Sequence, residues 1–517
     1  MRPTFLAFQT ASRALSASQA LIDVTGNNIA NVNTNGYTRQ RVDLASISNS
    51  GYTQKYTVPG ATVGLGVNVT GIGQIRDPFL DARYRAQASE SAQYDTLLKG
   101  LSDLEGVFDE VETQGLQAEI SNFINQLQTL SQTPSSKDIA LVARTAAQKV
   151  TQILNVYSKQ TEQVREQQIY DLSKIVVDTD FNTLVKNIAE LNTQIRNELT
   201  HGNEPNELYD QRNILVDKLS GIVNIKVTTT PEKISEDLTI ENLTISIYDT
   251  KGGSSIGIVS NGLYNTLDAS LDSDNKMTIE INSSFGGYNG DITTKFSGGS
   301  IKGYLDLING EGTYAAPGEN AFRGTLYYGH AIDTFAANFA KVLNDLNVDP
   351  ADGTTVLPLF TDESGGTTSI TAGNIRISAA WMNESTHIVT TTVNPPAGGG
   401  DNVLRMISAL GSDMSFRRDP ADPASPVMFE GTVNEYMTGL IGELALDVEL
   451  NQNFSNTAST VLNNLYASRE SMSGVALDEE GINLMAYQKS YNAAARYFTV
   501  LDEAVDKIIN GMGLVGR

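Results

Sequence analysis

Hydrophobic positions recur with the spacing of paired helices at both ends of this chain. Near the C-terminus, Leu484, Tyr487, Tyr491, Ala494, Phe498, Leu501, Val505 and Ile508 follow a 3–4–3–4 spacing, which is the a/d seam of a coiled coil. Asp478, Glu479 and Glu480 put negative charge where a first helical turn welcomes it, and Asn510-Gly511 supplies a stop. Near the N-terminus, Phe8, Leu15, Ile22 and Ile29 recur every seven residues, with the small or polar Ala11, Ser18 and Thr25 at the alternate seam positions. Seams this narrow bury too little apolar surface to hold either helix alone in water. The ends therefore pack on each other, bringing residue 20 near residue 495, or pack against other chains. Their length and narrowness favour assembly.

Between the ends the period changes twice. Residues 78–220 carry helical spacing, for example Leu97, Leu101, Leu104 and Phe108, then Leu116, Ile120, Phe123, Leu127 and Leu130. One helix is expected to run to about Gln168 and another to resume after Asp178, with Phe181, Leu184, Ile188, Leu191 and Ile195 in register. From Ile225 to Ile281 apolar and polar residues alternate, as in half-buried antiparallel strands. Helical spacing returns over 322–347 and again over 433–469, separated by a Gly/Pro/Thr/Ser-rich stretch from Asp349-Pro350 to about Pro426. The pattern predicts an α+β multidomain chain with nested organisation. Residues 1–50 and 470–517 form a terminal coiled-coil domain, and 51–220 with 296–348 and 431–469 form a body of long helices. Residues 221–295 form an inserted antiparallel β domain, and 349–430 a second β-rich, loop-rich insertion.

Charge and chemistry narrow the function. The formal net charge of −24 repels phosphate backbones, and no dense Lys/Arg cluster offsets it, so no nucleic-acid partner is expected. There is no cysteine, which excludes disulfides, thiolate metal sites and a cysteine nucleophile. No run of about 18 apolar residues suits a membrane span, and the first residues lack the apolar stretch of a signal peptide. If the chain is exported, another route is expected. The three histidines, His201, His330 and His387, lie far apart in sequence and fit no zinc spacing. Asp272-Ser273-Asp274-Asn275 resembles the start of a calcium loop, but Met277 stands where glycine belongs and Ser283 where glutamate belongs, so a solvated turn is expected. Trp381, the one tryptophan, is expected as core or as a surface anchor. No catalytic residues, metal site or cofactor are expected.

After the first helix comes Asn27-Asn28-Ile29-Ala30-Asn31-Val32-Asn33-Thr34-Asn35-Gly36-Tyr37-Thr38-Arg39-Gln40, with five asparagines in nine positions. Asparagine bonds nearby backbone and tolerates left-handed conformations, and Asn-Gly favours positive φ, so a sharply specified turn is expected. The order of residues here closely resembles the N-terminal signature of the flagellar rod, hook and hook-associated axial family. Arg39-Gln40 after Tyr37-Thr38 looks like its hook-associated protein 1 branch. Leu477–Glu480, Tyr487-Gln488, Tyr491 and Ala493–Arg496 resemble that branch's C-terminal signature, with Gly481 a departure that loosens the first turns of the helix. Glu204–Asn213 (EPNELYDQRN) and Gly60–Gly73 with Arg76–Leu80 are similar to internal elements.

The resemblance implies a structural subunit, not an enzyme, that joins hook to filament by polymerising through its terminal helices. It also implies export without a cleaved signal peptide. The implied partners are other copies of the chain, the hook protein, the next hook-associated junction protein and an export chaperone on the C-terminal helix. The two seams would carry subunit packing, and Asn28, Asn31, Gly36, Tyr37, Arg39 and Gln40 would fix the turn leading outward. Two alternatives stay open: a hook or distal rod subunit of the same family, and a junction protein whose β insertions add an adhesive or enzymatic role.

Overall fold

The structure, a computed structural model, describes residues 4–47, 64–108, 115–234, 239–248, 255–384, 387–393 and 398–511. The first four positions of the Gly60–Gly73 stretch therefore lie outside the described residues. The chain opens with α1 (Thr4–Ala30), then the antiparallel pair β1 (Gln40–Ser46) and β2 (Val67–Gln74). Four long helices follow: α2 (Pro78–Phe108), α3 (Leu116–Gln132), α4 (Lys137–Tyr170) and α5 (Asn182–Thr200), with a π-helical segment (Asp171–Phe181) joining α4 to α5. After α6 (Asn206–Ile222) come β3 (Ile225–Lys233), β4 (Thr239–Ile247), β5 (Ile256–Ser260) and β6 (Leu263–Tyr264), paired in that order in one sheet. A second sheet holds β7 (Thr266–Leu271), β8 (Met277–Asn282) and β9 (Gly290–Asp291). The rest is α7 (Gly299–Asn309), α8 (Thr325–Leu346), β10 (Phe360–Thr361), β11 (Arg376–Ile377), α9 (Ala379–Met382), α10 (Asp401–Gly411), β12 (Met414–Arg417), β13 (Val427–Gly431), α11 (Val433–Ser473) and α12 (Leu477–Asp506).

Two hydrophobic cores hold these elements, and neither includes a residue of α1 or α12. The first joins α3, α8 and parts of α2, α4, α10 and α11 around Phe123, Phe335 and Phe339. The second packs β4, β5, β7 and β8 against the π segment, α5, α6 and α7, around Phe181, Ile188 and Ile279.

Residues 349–430 are not a separate β-rich insertion. Among the described residues they form two short two-stranded ladders and the helices α9 and α10. Leu359, Phe360, Trp381, Met406 and Phe416 all enter the first core. Phe360 meets Phe339 edge-on at 5.4 Å and Trp381 at 6.1 Å, while Phe416 stacks on Phe335 at 6.2 Å. Glycine and proline mark the turns here, but the few apolar residues between them are the ones that cover the aromatic face of α8. Trp381 is core.

The expected break between Gln168 and Asp178 is also absent, because helix runs without interruption from Lys137 to Thr200. Its buried face steps through Gln168, Leu172, Val176 with Val177, Phe181 and Val185. Those steps of four to five residues suit the wider π turn, which keeps one face directed at the second core. The Asp272 turn is closed by its own side chain: Asp272 Oδ1 accepts from the amides of Asp274 (2.9 Å) and Lys276 (2.8 Å). The buried Arg165 of α4 donates to the Asn275 carbonyl, which fixes this turn to the helical body.

One buried carboxylate gives the body a pH dependence. Asp333 of α8 accepts the Ala372 amide at 2.8 Å, and burial pushes its carboxyl up from 3.8 to about 6. A raised folded value means that the group favours folding below the unfolded value and loses that advantage as pH rises through about 6. Asp333→Asn keeps the amide acceptor and removes the charge. It should stabilise the first core by about 1–2 kcal/mol at pH 7.5 and leave it unchanged near pH 4. Denaturant midpoints of the two proteins at both pH values check this.

Candidate functional site

α1 and α12 lie antiparallel along their whole lengths. Phe8 meets Phe498 edge-on at 5.1 Å, Ser18 Oγ donates to Ser490 Oγ at 3.3 Å, and Asn28 Nδ2 donates to Glu480 Oε2 at 3.3 Å. The two seams thus face each other inside one chain. On α1 the small positions sit deepest: Ala11, Ser18 and Thr25 are buried, whereas Phe8, Leu15, Ile22 and Ile29 are half-buried flanks. Small residues on the facing side let the helix axes approach, and the larger side chains close over the sides of the gap. α1 also rests on the β1–β2 pair, where Arg13 Nη1 donates to the Leu65 carbonyl at 3.1 Å. On α12 and the π-helical turn that follows it (Lys507–Gly511), Leu484, Tyr487, Ala494, Leu501 and Val505 are half-buried, while Tyr491, Phe498 and Ile508 keep 37, 36 and 49 % of their surface. Glu480 is the one α12 residue fully buried.

The turn after α1 is built from its own asparagines. Asn31 Nδ2 donates to the carbonyl of Asn27 (3.0 Å) and to its Oδ1 (2.9 Å), and Thr34 Oγ1 donates to Asn31 Oδ1 (3.1 Å). Gly36 follows at φ +78°, where a Cβ would fall 2.5 Å from the Ile214 side chain of α6. Both the left-handed backbone and the close approach require glycine.

Asn28, 1 % exposed, is the hub. Its Nδ2 donates to the Gln40 carbonyl (2.9 Å) and to Glu480, and its Oδ1 accepts from the Gln40 amide (3.0 Å) and the Tyr37 hydroxyl (2.9 Å). Every hydrogen-bonding position of the amide is filled. Burial, with the carboxylates of Asp210, Glu207 and Glu480, pushes the Tyr37 hydroxyl up to about 12, so it remains a donor at neutral pH. Arg39 bridges Glu479 (2.9 Å) and Glu480 (2.7 Å) at the start of α12, and its amide donates to the Ser473 carbonyl at the end of α11 (2.8 Å).

A second knot fastens this turn to the body. Buried Asp210 of α6 accepts from the Thr38 amide (3.0 Å), the Thr38 hydroxyl (2.6 Å) and Gln74 Nε2 (2.9 Å). Burial raises its carboxyl above the ordinary range, against the opposing pull of Thr38, Arg76 and Gln74. Gln40 Nε2 reaches Glu207 at 3.4 Å, and Arg76 clamps Asp81 through two nitrogens at 3.0 and 2.9 Å. Arg469 of α11 bonds Asp217 at 2.6 Å and lies 4.0 Å over the Tyr84 ring; Arg85 of α2 bonds Asp217 at 2.7 Å. A cleft of about 390 Å³ opens beside the turn, lined by Tyr37, Arg76, Tyr84, Asp217, Tyr466 and Arg469 among others. Its arginines and aspartates are paired with one another rather than turned into the space. Among the described residues no group of three His, Cys, Asp or Glu could hold a metal ion, and no helix is long and apolar enough to cross a membrane.

Asn28, Tyr37, Arg39 and Gln40 thus meet in one polar knot, while Asn31 and Gly36 shape the turn that leads into it; among the partners whose part sequence reasoning missed are Thr38, Gln74, Asp210 and Glu480. Asp210 lies inside the EPNELYDQRN element and Glu480 inside the acidic start of α12. The available signal was a carboxylate within an ordered motif, but nothing in the spacing says which distant amide it accepts.

Comparison with known proteins supports the same parts of the chain. Residues 101–360 match the family described as flagellar hook-associated protein FlgK helical domain, and residues 8–38 match flagella basal body rod protein. The chain is 33% identical over 529 residues to flagellar hook-associated protein 1 of Bacillus subtilis, covering 100% of both. It is 24% identical to that of Salmonella typhimurium, covering 97% of this chain and 98% of the relative. The fold is similar to the flagellar hook junction protein FlgK from Burkholderia pseudomallei, with TM-score 0.55 and 13% identity over 75% of this chain and 100% of that one.

Proposed function

The chain belongs to the flagellar hook-associated protein 1 family, a structural component of the bacterial flagellum, and from that premise we propose that it polymerises through its terminal helix pair to join hook to filament. The observation that carries this reading is the α1–α12 pair, which contributes nothing to either core and is held to the body by a polar knot. A module fastened in this way can present itself to neighbours without unfolding the rest. Its partners would be further copies, the hook protein on one side and the next hook-associated protein on the other, with an export chaperone covering α12 before assembly. Exposed apolar positions on that helix make such cover useful, since bare stripes aggregate. We read the chain as non-enzymatic, since the arginines and aspartates around its cleft pair with one another.

In cells lacking their own copy, an epitope-tagged version of this chain should restore filaments, and the tag should form one thin band between hook and filament. Filaments that grow without the chain, or a tag spread along the filament or confined to the rod, would sink the junction reading.

A further inference from the structure

α11 outruns the core that anchors it. Val448 is its last residue packed on the first core, and from there the helix runs on for about 37 Å to Ser473. Before Tyr94, α2 likewise contributes to neither core. The two helices form a neck between the body and the terminal pair, and their facing side is thin. Along it α11 buries only Asn451, Ser455, Ala458 and Leu465. Tyr94 meets Phe454 at 5.1 Å, Ser455 Oγ donates to Asp95 at 2.5 Å, and Tyr84 meets Tyr466 at 6.4 Å. Small and polar positions bury little apolar surface, so packing alone holds the end of the neck weakly.

At that end Arg469 ties α11 to both neighbouring helices. Its guanidinium bonds Asp217 of α6 at 2.6 Å, lies 3.7 Å from Asp81 of α2, and covers the Tyr84 ring at 4.0 Å. One turn on, the Ser473 carbonyl accepts the Arg39 amide. At Gly474 a Cβ would fall 2.5 Å from the Glu470 carbonyl, so the chain turns tightly against α11 before α12 starts at Leu477. The place of the last turn of α11 thus sets where α12 begins. The Asp210 knot pins the turn after α1 to α6, but one pin leaves a rigid pair free to swing. The cleft of about 390 Å³ lies between that turn and α2, α6 and α11, so no packed side chains block the motion on this side.

We propose that Arg469 is the positioning residue that fixes the direction in which the terminal helix pair leaves the body, and that without it the pair swings across the cleft about the Asp210 knot. The contact lies within one chain and does not depend on what the pair docks on.

The chain has no cysteine, so Ser16→Cys on the exposed face of α1 and Gln194→Cys on exposed α5 carry a unique pair of spin labels. Pulsed electron–electron double resonance on the free chain should give one narrow distance distribution. Arg469→Met keeps the aliphatic stem on Tyr84 and leaves Asp217 paired with Arg85 at 2.7 Å, so no buried charge is stranded. It should broaden the distribution about two-fold through loss of the ion pair alone. Arg469→Lys restores a charge to Asp217 without the planar stack, and should return the centre of the distribution with an intermediate width. Hydrogen-exchange protection of residues 484–506 and the thermal transition of the body should stay as in the parent. An Arg469→Met distribution with the parent's centre and width overturns the proposal. So does broadening that comes with lost protection of 484–506 or a lowered body transition, since Arg469 would then hold the fold rather than the direction.

Discussion

Replacing Asn28 with aspartate should detach the terminal helix pair from its anchor while leaving both hydrophobic cores intact. The change swaps one NH2 for one oxygen, so packing is preserved and only hydrogen bonding and charge are altered. The native amide donates to the Gln40 carbonyl and to Glu480, and it is 1 % exposed. A carboxylate can donate to neither, and it adds a negative charge beside the buried Glu480, whose own partner is Arg39 at 2.7 Å. Lost donors to buried acceptors cost about 1–3 kcal/mol each, and an unpaired buried charge more, so about 3–5 kcal/mol of local stability should go. The cost should shrink as pH falls. Burial and Glu480 raise the introduced carboxyl's pKa, and once protonated it can donate again. Amide hydrogen exchange reads this directly: residues 477–490 should lose protection at pH 7, while Phe123, Phe335 and Phe181 keep theirs; the Gln40 amide, which a carboxylate still accepts, should change least. An Asn28→Asp chain with residues 477–490 still protected at pH 7 would mean that the knot is not held through this side chain.

That prediction rests on residues whose grouping was only partly legible in the sequence. Heptad spacing identified both terminal helices and their faces, because a/d periodicity is a local property of a helix. It could not say whether Phe8 would meet Phe498 or another chain, since both solutions bury the same side chains. The asparagine-rich turn was legible as a turn, and residue order gave its family. Its bonds to Asp210 and Glu480 were not legible, because sequence separations of 172 and 452 residues leave no periodic trace. Composition misled at residues 349–430. Glycine and proline described the loops correctly, but Phe360, Trp381 and Phe416 decided where those loops pack. The π segment was legible in principle: the step from Leu172 through Val176 and Val177 to Phe181 is too long for an α-helical face and too short for a break.

The seam is the other place where one residue should matter most. Phe498→Asp should separate α12 from α1, abolish incorporation into the flagellum, and leave the body folded. Phe498 supplies the edge-to-face contact with Phe8, worth about 0.5–1.5 kcal/mol beyond its buried area. Losing the buried part of the ring and placing a carboxylate against Phe8 raises the total to about 3–4 kcal/mol. The pair has little to spare, because its most closely facing positions on α1 are Ala11, Ser18 and Thr25, and α12 buries one residue completely. Protection of residues 7–25 and 484–506 should therefore fall to near solvent rates. The thermal transition of the body should not move, since neither core shares a side chain with the pair. Phe498→Leu keeps the apolar contact without the ring and should retain assembly with reduced protection, which separates loss of packing from introduction of charge. A Phe498→Asp chain that still entered the flagellum with both helices protected would show that the seam does not hold the pair.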